Sequence, residues 1–143
     1  MARQEIQPIY CWKIKYEGLS IYLASSDKGA LRIGMSLKDA GGATDSFQHL
    51  FSGRDLIVDE AKNLPIIEAV RAALEGRLGT TGGSVSLDIN GTPFQLLVWK
   101  TLLKIPYGET RTYGQVANMV DRPRGARAVG QAVGANPLPL FFP

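Results

Sequence analysis

The chain has 143 residues, of which 45% are hydrophobic and 20% charged, and its formal net charge is +3, which suits one soluble unit or two small lobes rather than a disordered tail. No apolar run approaches the roughly 20 residues of a membrane span, and the first residues lack the apolar stretch of a secretory signal, so we expect a cytoplasmic protein without a membrane partner. Cys11 is the only cysteine and His49 the only histidine, which excludes an internal disulfide and makes a metal site unexpected.

The first third of the sequence predicts an antiparallel meander of three strands. Apolar and polar residues alternate before and after Glu17-Gly18, which is typical of a β-hairpin. A second turn signal precedes Leu31 and Ile33 and indicates a third short strand. Residues 38–59 are rich in Gly, Ser and Asp, and we expect a loop with at most one short element there.

A helix is predicted over residues 64–78. Pro65 would lie near its start, where a missing amide hydrogen costs little. The glycine-rich residues 79–83 would end it. The apolar face of this helix consists of Ile67, Val70, Ala73 and Leu74.

A boundary between two domains is predicted at Asn90-Gly91. Residues 84–89 alternate as a strand before it, and the composition changes after it. We therefore divide the chain into an N-terminal domain, residues 1–89, and a C-terminal domain, residues 90–143.

The C-terminal domain begins with a predicted helix. Thr92 is a plausible N-cap, Pro93 suits the first helical position, and the helix should stop before Pro106. The apolar residues that recur at helical spacing are Phe94, Leu97, Val98, Leu102 and Ile105.

Residues 112–134 predict two short helices separated by a turn at residues 121–124. The inner face of the first helix consists of Val116, Ala117 and Val120, and that of the second of Ala126, Val129, Gly130 and Val133. This arrangement is typical of a helix-turn-helix.

The C-terminal part of the chain is basic. From residue 91 onward it has six Lys and Arg residues but only two Asp and Glu residues, which fits a polyanion partner or a solvated surface.

The outer face of the second helix would present Arg127, Gln131 and Gly134. The small residues expected on this surface are Ala128, Gly130, Ala132 and Gly134. A major-groove reader usually carries several side chains that pair with base edges, so this helix favours recognition of shape and backbone. Tight helix packing with Arg127 as a solvated charge explains the pattern equally well.

Six sequence blocks together resemble a known family. They are Gly91-Thr92-Pro93-Phe94-Gln95, Val98-Trp99, Ile105-Pro106-Tyr107-Gly108-Glu109-Thr110, Thr112-Tyr113-Gly114, Ala126-Arg127-Ala128-Val129-Gly130 and Asn136-Pro137. In this order and spacing they resemble the O6-alkylguanine-DNA alkyltransferases. The resemblance implies an α/β (α+β) fold, with a ribonuclease-H-like sheet-plus-helix lobe followed by a mostly helical, winged-helix-like lobe.

The resemblance also implies a function. Proteins of this family repair O6-alkylguanine by flipping the damaged base out of double-stranded DNA through the minor groove, and they transfer the alkyl group irreversibly to a protein cysteine. They act as monomers and need no cofactor. We therefore expect a cytoplasmic DNA-repair protein that binds alkylated duplex DNA.

Roles for individual residues follow from the resemblance. Arg127 matches the arginine that takes the place of the flipped base, and Tyr113 matches the tyrosine that helps to rotate the phosphate. Asn136 matches the asparagine that holds the turn after the recognition helix, or is a simple turn former before Pro137. Pro139 matches a residue beside the alkyl pocket.

Further DNA contacts are expected nearby. Arg122 and Arg124 in the turn are candidates for phosphate contacts, or are solvated charges, while Gly130 and Gln131 lie on the recognition helix. Trp99 and Tyr107 also match family blocks, and we expect both in the core.

The family pattern breaks at Pro143, because the family's proline-cysteine-histidine-arginine motif, which holds the acceptor cysteine, is expected immediately after this residue. Cys11 lies in the first predicted strand without a basic neighbour and is interpreted as a structural thiol, and His49 as a surface or loop residue. We therefore expect the 143 residues to be inactive in transfer, with no catalytic residue among them. A chain or gene ended early, a natural inactive relative, or a UGA codon at the acceptor position would each produce this break.

Two other functions stay open beside the repair alkyltransferase. One is a non-catalytic, alkyltransferase-like module that binds the lesion and recruits other factors, although such proteins usually lack an N-terminal lobe. The other is a helix-turn-helix transcription factor, which would need more base-edge contacts than this helix offers.

Overall fold

The computed structural model describes residues 6–39, 41–77 and 85–142. Its elements follow in chain order as strands β1 (Ile9–Tyr16), β2 (Leu19–Ser26) and β3 (Gly29–Ser36), a 3-10 turn (Asp45–Phe47), strand β4 (Leu56–Val58), and helices α1 (Glu60–Leu74), α2 (Pro93–Leu102), α3 (Tyr113–Met119) and α4 (Ala126–Gly134). The predicted mixed α/β fold class is confirmed. No helix in the described ranges is both long and apolar enough to cross a membrane.

The predicted hairpin and third strand form most of one sheet with the order β3-β2-β1-β4. Glu17 and Gly18 have φ angles of +45° and +83°, and Tyr16 pairs with Leu19, so the loop has two residues. Positive φ at both loop positions matches the right-handed twist of the flanking strands, which is why a glycine is needed there. The local turn chemistry thus sets the register of β1 against β2.

The segment 38–59 holds two short elements where at most one was expected. Phe47, in the 3-10 turn, is buried against the outer side of the sheet, where it clusters with Tyr22 and Ala24. Strand β4 pairs parallel to β1, with Leu56 opposite Ile9. Three residues are too few for alternation to be visible in the sequence, and only the pairing with β1 makes β4 a strand.

Helix α1 begins and ends earlier than predicted. The side chain of Asp59 accepts a hydrogen bond of 2.9 Å from the amide of Lys62, which caps a helix that starts at Glu60. Pro65 therefore lies inside the helix rather than near its start, on the exposed side. At the other end, Gly76 adopts a φ of +67° and stops the helix after Leu74. The glycine-rich residues 79–83, which were predicted to end it, lie outside the described ranges.

Of the strand predicted over residues 84–89, Ser84 lies outside the described ranges, and the remaining residues form one isolated bridge, between Leu87 and Ala30. The amide of Ala30 donates to the carbonyl of Ser86 at 2.8 Å, and the amide of Asp88 donates to the carbonyl of Ala30 at 2.8 Å. A Cβ on Gly29 would lie 2.2 Å from the Ser86 oxygen, so the close crossing of the two segments requires glycine. Alternation correctly marked an extended segment, but within residues 85–89 its backbone pairing with the sheet is limited to this one bridge.

One hydrophobic cluster joins the sheet to all four helices. Its fully buried large members include Ile21, Leu23, Ile67, Val70, Val98, Trp99, Val116, Val129 and Leu138. A backbone hydrogen bond of 2.9 Å from Ile33 to Pro137 also links β3 to the segment after α4. The proposed division at residue 90 stays a prediction, and the apolar contacts run continuously across it.

Candidate nucleic-acid interface

The site begins with the cap of α3. The Oγ1 of Thr112 accepts a hydrogen bond of 3.1 Å from the amide of Gln115, and the Gln115 Oε1 accepts one of 2.8 Å from the amide of Thr112. This reciprocal pair is a capping box. It fixes the start of α3 and places Tyr113 at the first helical position. Thr92 and Gln95 form the same box before α2, so Thr92 is confirmed as its N-cap.

The turn between α3 and α4 confirms the predicted helix-turn-helix. Asp121 has a left-handed φ of +56°, which redirects the chain after α3. A Cβ at Gly125, the residue before α4, would lie 2.9 Å from the carbonyl oxygen of Arg122, so this turn has no room for a side chain. Val129 anchors α4 in the core.

The outward surface of α4 agrees with the prediction except at Gly130, which is half-buried, and at Ala132. Its exposed residues are Arg127, Ala128, Gln131 and Gly134. Ala132, which was expected among the outward small residues, is only 2% exposed. It lies three residues after Val129 and therefore shares the buried face of the helix.

Three cations cluster around the start of α4. Arg122, Arg124 and Arg127 are exposed, and their side chains have no ion pair or hydrogen bond to any described residue. By contrast, Arg111 is paired with Glu109 at 2.7 Å. The first turn of α4 has neither a side-chain cap nor an acidic residue, so its free amides add to the positive potential. This end of the helix-turn-helix suits an anionic partner such as a phosphate backbone.

The ring of Tyr113 lies on α4 at Gly130. A Cβ added at Gly130 would be 3.0 Å from Cε2 and 3.1 Å from Cδ2 of that ring. Tyr113 is 52% exposed, and its hydroxyl has no hydrogen-bond partner within the described residues. Since Arg127 and Gly130 are three positions apart on one helix face, the tyrosine ring and the arginine occupy neighbouring parts of the same surface.

Asn136 holds the turn after α4 by two hydrogen bonds to the backbone. Its Nδ2 donates to the carbonyl of Phe142 at 3.0 Å, and its Oδ1 accepts from the amide of Leu138 at 2.9 Å. This amide therefore bridges two backbone segments, which agrees with the role that the resemblance implied and adds to that of a simple turn former. Pro139, half-buried, lies within the loop that these bonds close.

The acceptor position was expected immediately after Pro143, and Pro143 itself lies outside the described residues. The nearest described residue is Phe142, which is 2% exposed and is held by the hydrogen bond from Asn136 to its carbonyl oxygen. The Asn136 turn thus fixes the backbone one residue before Pro143. Where the acceptor would lie relative to Tyr113 and Arg127 stays a prediction.

Comparisons with known proteins agree with this geometry. The family model of the DNA-binding domain of 6-O-methylguanine DNA methyltransferase matches residues 93–143. The inducible methylated-DNA–protein-cysteine methyltransferase of Bacillus subtilis is 33% identical over 138 residues, which cover 96% of this chain and 76% of that protein. The chain belongs to the methylated-DNA–protein-cysteine methyltransferase family.

Two mycobacterial comparisons extend this result. The methylated-DNA–protein-cysteine methyltransferase of Mycobacterium tuberculosis strain H37Rv is 48% identical over 77 residues, which cover 54% of this chain and 46% of that protein. The crystal structure of Mycobacterium tuberculosis OGT in complex with DNA superposes with a TM-score of 0.74 at 31% identity, covering 94% of this chain and 74% of that one. The whole described architecture, and not only the helix-turn-helix, is thus that of the methyltransferase family.

Neither Cys11 nor His49 of this chain takes part in the candidate interface. Cys11 is fully buried in β1, and burial raises the pKa of its thiol from 9.0 to about 11. The thiol is therefore neutral and inaccessible, which confirms its interpretation as structural. His49 is exposed in the loop after the 3-10 turn. Within the described ranges, His, Cys, Asp and Glu side chains form no group of three that could hold a metal ion.

The two aromatic residues expected in the core behave differently. Trp99 is 2% exposed, stacks on Phe142 with ring centroids 6.3 Å apart, and lies so close to Gly91 that a Cβ there would be 2.8 Å from the indole. Tyr107 was wrongly placed, since it is 69% exposed in the loop after α2. Its hydroxyl reaches Gly76 at the end of α1, where an added Cβ would lie 3.2 Å away. An aromatic residue beside Pro and Gly in a loop has no helical or strand periodicity that could reveal its burial.

Proposed function

We propose that this chain binds double-stranded DNA containing an O6-alkylated guanine through α3 and α4, and that it flips the damaged base as part of direct alkyl-transfer repair. The observation that carries the proposal is the outward surface of α4, where an unpaired Arg127 stands among small residues. Its membership of the methyltransferase family, one of whose members was crystallised with DNA, supports it.

The composition of this surface favours the minor groove. Ala128 and Gly134 are exposed and have no polar side chain, so Gln131 and Arg127 are the only residues of this face that could pair with a base edge. A reader of major-groove sequence needs more such groups, whereas small residues allow close approach to a narrow groove. Arg122 and Arg124 then contact phosphates on either side, which gives affinity without sequence preference.

Base flipping is assigned to Arg127 and Tyr113. An exposed guanidinium without a protein partner is free to fill the space left in the base stack and to hydrogen-bond the orphaned base. The exposed ring of Tyr113, which packs on α4 at Gly130, carries an unpaired hydroxyl that can contact the DNA backbone. Asn136 keeps the following loop, with Pro139, in place as one wall of the alkyl pocket.

The alkyl acceptor is not one of these 143 residues. The only cysteine is Cys11, whose thiol is buried in β1 with a pKa raised to about 11. A nucleophile for alkyl transfer must be accessible and at least partly ionised. We therefore expect this chain to recognise the lesion as a monomer and to leave the alkyl group on the DNA.

The test combines binding and mass measurements. The chain is titrated with two fluorescent duplexes of one sequence, with guanine or O6-methylguanine at the central position, and intact mass is measured after incubation. We expect tighter binding of the modified duplex and no methyl-sized mass gain. Equal affinity for both duplexes would contradict lesion recognition and favour a general DNA-binding role.

A second protein separates repair from a binding module. The same chain, extended after Pro143 by the family's proline-cysteine-histidine-arginine motif and the segment that follows it, should gain one methyl group per molecule from the modified duplex. If lesion binding occurs without a mass gain in the extended protein, the non-catalytic module is the correct function.

A further inference from the structure

Gly130 stands inside a helix without a conformational reason to be glycine. Glycine is among the least favourable residues for a helix interior. Glycine suits positions where φ is positive, as at Gly76 and Gly108, but Gly130 has the negative φ that any residue adopts in a helix. Its presence therefore requires a packing reason, and the side-chain atoms nearest to it are those of Tyr113.

We propose that Gly130 is a positioning residue for Tyr113: without a side chain at position 130 the phenol ring packs directly on α4, the helix that also carries the exposed Arg127. This inference rests on the proposed function, because it concerns how the proposed DNA-binding surface is assembled. The missing side chain at position 130 makes the seat for the ring, and the Thr112 capping box fixes the backbone from which the ring extends.

The geometry sets the size of the effect. A Cβ at position 130 would lie 3.0 Å from Cε2 and 3.1 Å from Cδ2, which is a few tenths of an ångström inside ordinary contact. Because Tyr113 is 52% exposed, its ring can yield outwards without opening the core. Gly130→Ala should consequently leave the fold intact and move the Tyr113 ring, with its hydroxyl, away from α4.

Gly134 provides the matched control for folding. It lies in the same helix, is exposed, and has no atom within 4 Å of an added Cβ. Gly134→Ala should therefore raise the melting temperature through helix propensity alone. Gly130→Ala has the same propensity gain but opposes it with the displaced ring, so its melting temperature should rise less or fall.

The decisive experiment is a double-mutant cycle on lesion preference, the ratio of affinities for the methylated and unmodified duplexes. This ratio does not depend on the fraction of folded protein. We expect Gly130→Ala to reduce it by about 2- to 150-fold, the range of coupling found between residues in contact. In a Tyr113→Ala background the same Gly130→Ala substitution should change the ratio less than about 2-fold, because no ring is left to displace.

The outcomes separate the inference from the proposed function. A parent chain without lesion preference refutes the proposed function and the inference with it. If the parent chain has lesion preference, either of two results refutes the inference alone. In the first, Gly130→Ala leaves the ratio unchanged. In the second, Gly130→Ala reduces the ratio equally with and without Tyr113, which would mean that position 130 touches DNA itself. If Gly130→Ala does not fold, recovery of folding in the double variant with Tyr113→Ala supports the packing of the Tyr113 ring on Gly130. Failure to recover overturns the inference.

Discussion

The indole Nε1 of Trp99 donates a hydrogen bond of 2.8 Å to the carbonyl oxygen of Ala132. Trp99 belongs to α2, whereas Ala132 lies in the last turn of α4, where carbonyl groups lack a complete set of helical partners. A second bond to this oxygen, from the amide of Ala135, is longer at 3.2 Å. The buried side chain of Trp99 therefore fixes the end of α4 against α2.

Replacement of Trp99 by Phe should destabilise the protein by about 1–3 kcal/mol, because it leaves a buried carbonyl poorly paired and a gap beside Gly91. The free energy of unfolding is measured by urea titration. Trp12→Phe is the matched control, since Trp12 is half-buried and its indole makes no hydrogen bond among the described residues. Equal losses in the two variants would show that the Ala132 bond contributes nothing specific.

Asn136→Ala should cost about 2 kcal/mol of stability, since it removes the partners of the Leu138 amide and the Phe142 carbonyl together. The loop containing Pro139 should exchange its amide hydrogens faster in this variant. The control is Asn118→Ala in α3, where the side chain is exposed and makes no hydrogen bond within the described part of the chain. A variant as stable as the parent would mean that the two hydrogen bonds contribute nothing to the free energy of unfolding.

Arg127→Ala should lower the preference for O6-methylguanine by about 1–3 kcal/mol, the range for losing one side chain that pairs well with a base edge. Lys104→Ala removes one exposed cation from the turn after α2 and serves as the control for charge. Affinities for modified and unmodified duplexes are compared for each variant. If Arg127→Ala weakens both duplexes equally, the arginine acts as a phosphate contact and not in base flipping.

Arg122→Ala and Arg124→Ala should each lower the slope of log affinity against log salt by about 1, and weaken both duplexes to the same extent, as expected for phosphate contacts. Arg111→Ala is the control, because that side chain is already paired with Glu109 at 2.7 Å. The measurement is a series of titrations between low and moderate salt. An unchanged slope would identify the two arginines as solvated charges.

The thiol of Cys11 should resist modification in the folded protein. Its pKa of about 11, raised from 9.0 by burial, makes the thiolate fraction at pH 8 roughly 100-fold lower than that of a free thiol, and burial also blocks access. The folded protein holds the Cys11 proton more tightly than the unfolded chain does. The contribution of this proton to the free energy of unfolding is therefore complete below pH 9.0 and is lost as the pH rises towards about 11. Labelling rates with and without urea check the first point, and alkaline unfolding of the parent against Cys11→Ala checks the second. Labelling of the native protein at the rate of the unfolded chain would place the thiol at the surface.

Short-range signals in the sequence were sufficient for the elements that depend on them. Glu17-Gly18 marked the two-residue hairpin loop, and Thr92 marked the start of α2. The same kind of signal is present at Asp59, but the predicted start of α1 rested on Pro65 alone. The helix extends past Pro65 because the free-energy cost of this exposed proline is smaller than the stabilisation from the cap at Asp59 together with the buried face of α1.

The sequence by itself determined the hairpin, the cap of α2, the helix-turn-helix and the outward position of Arg127, because each depends on residues only a few positions apart. Only the tertiary structure decided that Ala132 is buried, that Tyr107 is exposed, and that the Tyr113 ring is seated on Gly130. Those facts depend on how one helix lies against another. Periodicity shows which side of a helix is apolar, whereas packing of the whole chain decides which atoms meet there.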